Sequence, residues 1–418
     1  MARTRRRPTA AFLVAGGFAA ITLMWMVVGV PALVKYPTDL VVSPAYDGTF
    51  RAFVDLSTAP LDEPMEWPLT IDRRVEAIGG ESGASRVLVR ETIEQTAGPL
   101  LDTTQRNDYV MDRSSLENVA DERAFAFDES NVVDRSGAFR LNLPFDTDRG
   151  ETYRVYKNEI GDTYTMAADP EDPTTETEGL ELSNFVASLD GAPLTDAYLA
   201  ELNEVVTLPE LLTLDQLKPH LLAAGIDVDA VLAALSPVLA PDDAATLTAF
   251  AAEPIPLEYV LSFDGRAAVE PVTGAEVKVA ATESIGARPD LSGLPALQEV
   301  LGNYPDVPEA VAAGSALEDL AADPTITLLE YDYEQTPASV ADVADEVRAL
   351  RGQVLLVKVW IPLALGAVAV LALIVGVILT LRRRGRRGLE VIEPPDVPLE
   401  HRSNGHVRVP ATAGRSSR

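Results

Sequence analysis

Few residues of this chain can carry out acid–base or metal chemistry. Its 418 residues include no cysteine and three histidines, His220, His401 and His406. The lack of thiols excludes disulfides, thiolate zinc sites and cysteine nucleophiles, and the scarcity of imidazole removes most general-base chemistry near neutral pH. Only His220 lies between the two long apolar segments of the chain. Because its surroundings are rich in leucine, we expect His220 to pack against its neighbours and not to catalyse.

Hydrolytic chemistry has no specific motif here. The stretch GGESG at residues 79–83 departs from the G-x-S-x-G pattern that exposes a serine nucleophile. Paired carboxylates can hydrolyse glycosides, and residues 36–353 contain 60 Asp and Glu. With so many acids, abundance selects no particular pair. A carboxylate-dependent hydrolase therefore stays an alternative without named residues.

One acidic stretch resembles half of a calcium loop. FDTDRGE, residues 145–151, offers Asp146, Asp148 and Glu151 as oxygen ligands. It lacks the third acidic position and the glycine spacing of an EF-hand, and a hairpin turn accounts for the same residues. We therefore predict no catalytic residue, no cofactor-binding residue and no metal ligand, which favours a non-enzymatic protein.

The net charge of −30 is distributed unevenly along the chain. Residues 36–353 hold 19 basic and 60 acidic side chains, whereas the two ends are basic. An acidic middle of this size repels nucleic acid and keeps an exported domain soluble. Nucleic acid is accordingly excluded as a partner.

Two apolar segments are long enough to cross a membrane. Residues 8–34 contain no charge over 27 positions, and residues 359–381 contain none over 23. A secretory signal has a shorter apolar region and small residues at its cleavage site, whereas Pro31 and Leu33 stand near the end of this one. We predict an uncleaved signal anchor at residues 10–34 and a second transmembrane helix at residues 359–381.

Positive charge sets the expected topology. Arginines precede the first segment, and the run RRRGRR follows the second at residues 382–387. Because such charges stay on the cytoplasmic side, both termini are expected inside, as a basic N-terminus of residues 1–9 and a disordered tail of residues 382–418. The prediction is a two-pass plasma-membrane protein in which residues 36–353 form an extracytoplasmic domain.

That external domain is predicted to be α+β. Alternating patterns indicate strands within residues 40–190 and 256–335, arranged as a meander or barrel, and FRLNLPF at residues 139–145 is one such run. Turns are expected at Asp47-Gly48, Asp264-Gly265 and Thr273-Gly274. A helical insert is expected at residues 195–251, and a juxtamembrane helix at residues 337–353 that continues toward the second span.

Helix-start signals support the expected helices. Thr213 stands three residues before Gln216, the spacing of a capping box, and Thr336 precedes Pro337 in the manner of an N-cap. The insert is more apolar than a small exposed subdomain requires, as seen in Leu208, Leu211, Leu212, Leu214, Leu217, Leu221 and Leu222. These leucines either pack the insert's own core or form a portal for a lipid acyl chain.

Three stretches carry a family resemblance: VPALVKYPTD at residues 30–39, VEPVTG at residues 269–274, and YEQTPASVADVADEV at residues 333–347. Together with the two-span layout they resemble the actinobacterial membrane proteins of the porin PorA family. The resemblance implies a cell-envelope protein of uncharacterised role and transfers no functional residue. A weaker architectural likeness is to the CD36 scavenger-receptor family, whose external β-rich domain has a helical insert around a hydrophobic tunnel.

The leading functional expectation is a non-enzymatic envelope protein, anchored at both ends, whose external domain binds or transfers hydrophobic envelope lipids. Its expected partners are membrane lipids, a hydrophobic ligand, and envelope proteins or further copies of itself. The alternatives are a component of a channel or porin-like complex and the carboxylate-dependent hydrolase.

Overall fold

The computed structural model describes residues 8–54, 60–322 and 324–387. The chain divides into two compact units: residues up to Trp25 and from Pro362 onward form one, and Met26–Ile361 form the other. Most of the predicted N-terminal segment 1–9 and of the predicted tail 382–418 lies outside the described residues.

The helices and strands of the described residues are numbered in chain order. Helices α1 (Pro8–Met24) and α2 (Val30–Leu33) flank a π-helical turn (Trp25–Gly29). The first strands are β1 (Val41–Val42), β2 (Ala45–Val54), β3 (Pro60–Ala77), β4 (Arg86–Ala97), β5 (Leu101–Asp112), β6 (Phe125–Ala126), β7 (Asp128–Val132), β8 (Tyr153–Lys157), β9 (Asp162–Ala168), β10 (Thr174–Thr177) and β11 (Leu180–Pro193). Then come α3 (Asp196–Val205), β12 (Leu211–Leu212), α4 (Leu214–Ala223), α5 (Val228–Leu235), α6 (Pro241–Ala252), β13 (Ile255–Glu270) and β14 (Ala275–Pro289). The last elements are α7 (Leu294–Gly302), α8 (Pro308–Ala322), β15 (Ile326–Gln335), α9 (Pro337–Leu355), a second π-helical turn (Leu356–Trp360) and α10 (Ile361–Arg387).

Two helices are long and apolar enough to cross a membrane. They are Phe12–Leu33, with a mean hydropathy of 2.1 over its most apolar window, and Pro337–Arg382, with 2.8. The second helix begins where expected, because the Thr336 side chain accepts a hydrogen bond from the Ser339 amide and Pro337 needs no amide partner. Helical structure then runs through α9, the π-helical turn and α10, so the juxtamembrane helix and the apolar segment are continuous.

The strands form one large antiparallel sheet. Its order is β7-β6-β5-β4-β3-β2-β15-β14-β13-β11-β9-β8, with β1 paired to β3, β10 to β11 and β12 to β13. Side chains alternate between two faces, as in β3, where Leu69, Ile71 and Val75 are buried while their neighbours are exposed. The sheet curls so that this buried face lies inside.

Two of the expected turns are wrong, because β2 runs through Asp47-Gly48 and β13 runs through Asp264-Gly265. Gly48 has a different purpose: a Cβ there would lie 1.9 Å from the carbonyl oxygen of Asp332 on the paired strand. At Gly265 a Cβ would meet the ring of Phe263 at 2.3 Å. Both glycines allow a close approach within the sheet, which is a second common reason for glycine in a strand. The turn at Thr273-Gly274 is confirmed, with Gly274 at φ +71.

A segment between β5 and β8 links the two edge regions of the sheet. Met111 of β5 bridges to Asn118, whose amide donates to the Ala138 carbonyl at 2.9 Å, and Phe139 forms a parallel bridge with Val155 of β8. The curled sheet is thereby closed through irregular chain. The strand expected over residues 139–145 is reduced to the single bridge at Phe139, because beyond it the Leu143 amide turns away to bond the Gly274 carbonyl.

Arg135 reinforces this closure from inside. Its side chain is 2% exposed, and it donates to the carbonyl oxygens of Asp108 and Phe125 and to Oδ1 of Asn158. Its guanidinium also lies 4.4 Å from the ring centre of Tyr109. A single cation thus links β5, β6 and the turn after β8 by hydrogen bonds.

A helical subdomain packs around its own apolar core. Besides the expected insert, α7 and α8 from the later part of the chain contribute Leu294, Leu301 and Leu317 to this core. The predicted capping box is confirmed, since Thr213 and Gln216 exchange hydrogen bonds at the start of α4. Gly225, at φ +87, ends that helix. Two separate segments therefore build one subdomain.

The outer surface of the curled sheet is polar. Among the strand residues whose exposure the structure describes, the large exposed apolar side chains are Val41, Val132 and Leu211, which lie on three short strands. A barrel that crosses a bilayer by its strands presents a continuous apolar band outward. The described strands have no such band, so the apolar helices are the parts suited to a membrane.

Candidate functional site in the lumen of the curled sheet

The inside of the curled sheet holds a cavity of about 130 Å³, which we call the central cavity. Its lining comes from β2, β3, β4, β5, β8, β9, β13, β14 and β15, together with α3 and the segment before β8. Many of the lining side chains are charged, among them Arg73, Arg140, Lys157, Glu159, Glu276 and Glu283. The cavity is therefore a polar chamber enclosed by a polypeptide wall.

Two smaller cavities adjoin the central one. The α9 cavity, of about 80 Å³, is lined by Tyr36, Leu350 and their neighbours, and shares Tyr46, Arg73 and Glu276 with the central cavity. The α3 cavity, of about 20 Å³, also shares part of its lining with the central cavity, namely Gln95, Gln105, Tyr198 and Tyr331. We call the three cavities together the lumen, because they lie side by side and share lining side chains.

Glu91 organises one charged network beside the central cavity. It is fully buried and accepts hydrogen bonds from Arg73 Nε at 2.7 Å, Tyr109 Oη at 2.6 Å and Asn107 Nδ2 at 3.2 Å. Burial alone would raise the pKa of Glu91, but Arg73, Arg140 and the Tyr109 hydroxyl together lower it to about 2. The carboxylate is thus ionised and saturated with donors, which suits a structural role.

Lys157 organises a second network in the same wall. Its Nζ donates to Glu283 at 2.9 Å and lies 3.6 Å from Glu159 and 4.9 Å from the centre of the Phe263 ring. Tyr333 donates to the other oxygen of Glu283 at 2.6 Å. Burial would raise the pKa of Glu283, and Lys157 and Tyr333 lower it. Because Glu91 is paired with the Arg73 guanidinium and Glu283 with the Lys157 ammonium group, neither carboxylate is poised to act as an acid or base.

Three groups facing the central cavity remain incompletely satisfied. The Nε of Arg140 is buried without a hydrogen bond, and the ion pair of this residue is a 4.0 Å approach to Glu91. Oε2 of Glu159 is buried without a hydrogen bond. Glu276 has no cation within 4.0 Å among the described residues, and burial raises its pKa while Arg73 and Arg140 lower it. The lumen therefore offers unused hydrogen-bonding capacity of both charge signs.

The candidate ligand and catalytic side chains named from the sequence, Asp146, Asp148, Glu151, Ser82 and His220, are not among the residues that line this lumen. Asp148 accepts a hydrogen bond from the Gly150 amide within a turn, and Asp146 pairs with Lys358. Among the described residues no group of three His, Cys, Asp or Glu side chains could hold a metal ion. GGESG includes a 3-10 turn (Gly79–Glu81), and His220 lies near the end of α4.

Sequence reasoning missed the lumen residues, although one signal for them exists. In β4 the inward positions read Val87, Val89, Glu91, Ile93 and Gln95, so a carboxylate interrupts an apolar series. In β3, Arg73 stands in the same way between Ile71 and Val75. Charged residues at inward strand positions indicate buried ionic networks, but they do not reveal which strands face one another.

The leucine-rich insert divides between two sites. Leu208 joins the main core under the sheet, whereas Leu217 and Leu221 join the core of the helical subdomain. Leu211 and Leu222 are 51% and 59% exposed. Inside the helical subdomain lies a separate cavity of about 90 Å³ with an almost wholly apolar lining that includes Leu235.

The family model described as Porin PorA matches residues 9–378. The chain belongs to this family. The Porin PorA match covers the first apolar helix, the whole curled sheet and the second apolar helix as far as residue 378. No curated protein matches the chain.

The polar outer surface of the sheet limits how a chain of the Porin PorA family can contact a membrane. The family description suggests an envelope membrane protein. In this chain the outside of the described strands is polar and the inside holds charged side chains. The polar lining therefore lies within the curled sheet, and the two apolar helices are the described parts long and apolar enough to cross a membrane.

Proposed function

We propose that this protein is a non-enzymatic component of a channel-like pathway in the cell envelope, in which the lumen receives small hydrophilic solutes. The observation that carries the proposal is the lumen itself: adjoining cavities lined by Arg73, Arg140, Lys157 and several carboxylates. Side chains of this kind replace the hydration of polar solutes, as the linings of selective pores do.

The two apolar helices are proposed to anchor the domain in the plasma membrane with both termini in the cytoplasm. Arginines flank the outer sequence ends of both helices, which favours this orientation. The α9 cavity is lined by Tyr36, close in sequence after the first helix, and by Leu350 of α9, which leads into the second. The lumen is thus bounded by the segments nearest in sequence to the proposed membrane spans.

The membrane-crossing part of the pathway is proposed to need several chains. The described part of each apolar helix lacks charged side chains between Phe12 and Leu33 and between Val359 and Leu381. One such pair offers no polar lining, whereas a ring of copies or a partner protein can enclose one. The curled sheet then serves as the vestibule that admits and selects solutes.

Conductance tests this proposal directly. The purified full chain, inserted into a planar bilayer, is expected to produce discrete conductance steps whose cation-to-anion selectivity changes in Glu276→Gln. Glu181→Gln, on the exposed side of β11, is the matched control and should behave as the wild type. The proposal fails if the protein adds no conductance to the bilayer, or if the lumen variant leaves selectivity unchanged.

Binding of a hydrophobic envelope lipid is the second candidate, and the apolar cavity of the helical subdomain favours it. That cavity measures about 90 Å³, and exposed leucines such as Leu211 and Leu222 lie on the same subdomain. The charged lumen does not suit an acyl chain. Native mass spectrometry of the full chain should reveal retained lipid, and Leu235→Phe, which fills the apolar cavity, should displace it. A lipid-free protein would argue against this candidate.

A further inference from the structure

The central cavity has both a cationic and an anionic group left over after its internal ion pairs are formed. Arg73 is bound to Glu91 at 2.7 Å, and Lys157 to Glu283 at 2.9 Å. Arg140 and Glu276, which both line the cavity, are left without a close partner of opposite charge. They do not satisfy one another, since no contact within 4.0 Å joins them.

Buried charges of this kind are costly unless something pairs with them. A ligand that carried one charge would satisfy Arg140 or Glu276 and leave the other group unpaired. A ligand with a carboxylate and an ammonium group satisfies both. We propose that the central cavity is a binding site for a small zwitterion, whose carboxylate is held by Arg140 and whose ammonium group is held by Glu276.

The neighbouring side chains support both halves of this site. A guanidinium recognises a carboxylate through two parallel hydrogen bonds, and the Arg140 Nε is buried with no other acceptor. Tyrosines 46, 164 and 331 line the same cavity, and the faces of aromatic rings attract ammonium groups. Gln95 and Gln105 add neutral amide groups to the same lining.

Cavity size limits the ligand. The central cavity measures about 130 Å³, and an apolar cavity of roughly 150 Å³ admits a molecule the size of benzene. A zwitterion of about six to eight non-hydrogen atoms therefore fits. L-Proline and glycine betaine are suitable probes, because each combines one carboxylate with one ammonium centre at this size.

Protonation of Glu276 provides an independent signature. Burial raises the pKa of this carboxyl group and Arg73 and Arg140 lower it, with a net upward shift, so at a given pH the group holds a proton more firmly than a free glutamate does. An ammonium group placed beside it favours the ionised form, and binding then releases a proton. Isothermal titration calorimetry in two buffers of different ionisation enthalpy measures that release, which an uncharged contact would not produce.

The test is calorimetry on the full chain in lipid nanodiscs. Proline and glycine betaine are expected to bind, whereas acetate and tetramethylammonium, which each carry one of the two charges, should bind at least about tenfold more weakly. Arg140→Lys and Glu276→Gln should each weaken proline binding by about tenfold or more. Arg154→Lys and Glu181→Gln, both on exposed positions of the sheet, are the matched controls and should bind as the wild type.

The comparison among the four probes needs no variant, so it decides the matter even if Arg140→Lys does not fold. Equal binding of acetate and proline would overturn the zwitterion site. So would the absence of binding by either zwitterion at a concentration of about 10 mM, which is the limit for a weak site. The inference rests on the proposed function but fails separately from it. Conductance without zwitterion binding would support the proposed pathway and refute the zwitterion site. Zwitterion binding without conductance would support the site and refute the pathway.

Discussion

Replacement of Arg135 by methionine tests whether the lumen depends on closure of the curled sheet. The guanidinium donates three hydrogen bonds, to Asp108 and Phe125 carbonyl oxygens and to Asn158 Oδ1, at 2.9 to 3.2 Å. Hydrogen bonds from a charged group contribute about 1.5 kcal/mol each at the lower end of their range, which gives about 4 to 5 kcal/mol for three. Methionine keeps most of the volume but removes all three hydrogen bonds.

Part of that loss is offset. Burial lowers the pKa of Arg135, because the side chain is enclosed without a carboxylate partner and its charge is costly. Methionine removes this cost, so we expect a net loss of about 3 kcal/mol in the free energy of unfolding. The exposed Arg154 on β8 is the matched control, and Arg154→Met should change stability by less than about 0.5 kcal/mol.

Hydrogen exchange locates the effect. The amides of Asn118, Phe139 and Tyr156 donate across the closing segment, so their exchange in Arg135→Met should accelerate by about two orders of magnitude, as about 3 kcal/mol requires. Amides between β13 and β14, in the middle of the sheet, should change less. A loss below about 1 kcal/mol, or equal acceleration throughout the sheet, would refute the idea that this cation closes the curl.

Three further predictions concern other parts of the domain. The pKa of Glu91 is lower in the folded protein than in the unfolded chain. Its contribution of about 3 kcal/mol to the free energy of unfolding is therefore present above about pH 4.5 and is lost as the pH falls toward 2. Denaturant unfolding at several pH values should show this fall in stability, and Glu91→Gln should abolish this pH dependence. Gly274→Ala should destabilise the protein by more than about 2 kcal/mol and lower its melting temperature, because φ at this position is +71 and the new Cβ would lie 2.0 Å from the Leu143 carbonyl oxygen. Gly302→Ala is the control, since the position has open space around it, and it should not lower the melting temperature in the same way. Leu235→Ala removes a fully buried side chain and should cost about 3 kcal/mol of stability. Hydrogen exchange should become faster in the helical subdomain, while the curled sheet keeps its protection. A uniform loss of protection would contradict the separate core.

Local sequence signals predicted the helix boundaries well. The capping box at Thr213 and the N-cap at Thr336 act within a few residues, so their hydrogen bonds depend on nearby atoms alone. Apolar length likewise identified both long apolar helices, because a run without charge needs no knowledge of tertiary contacts. The family resemblance is confirmed by the match over residues 9–378.

Glycines show where local signals are ambiguous. An Asp-Gly pair fits a hairpin turn, yet Gly48 and Gly265 lie inside long strands, where a paired backbone or an aromatic ring comes too close for a Cβ. The same residue type serves both purposes, and only the partner strand distinguishes them. For the same reason the strand pattern over residues 139–145 overestimated pairing that Phe139 alone makes.

By itself, the sequence determined an acidic, thiol-free α+β chain with an apolar helix near each end, because composition and periodicity are local properties. The tertiary structure decided what the inside of the sheet contains. Arg73 and Glu91 are 18 positions apart and meet across the paired strands β3 and β4, whereas Lys157 and Glu283 are 126 apart and meet because the curl brings β8 close to β14. The polar lumen, and the groups left unpaired within it, therefore follow from strand order and register, which no single stretch of the sequence contains.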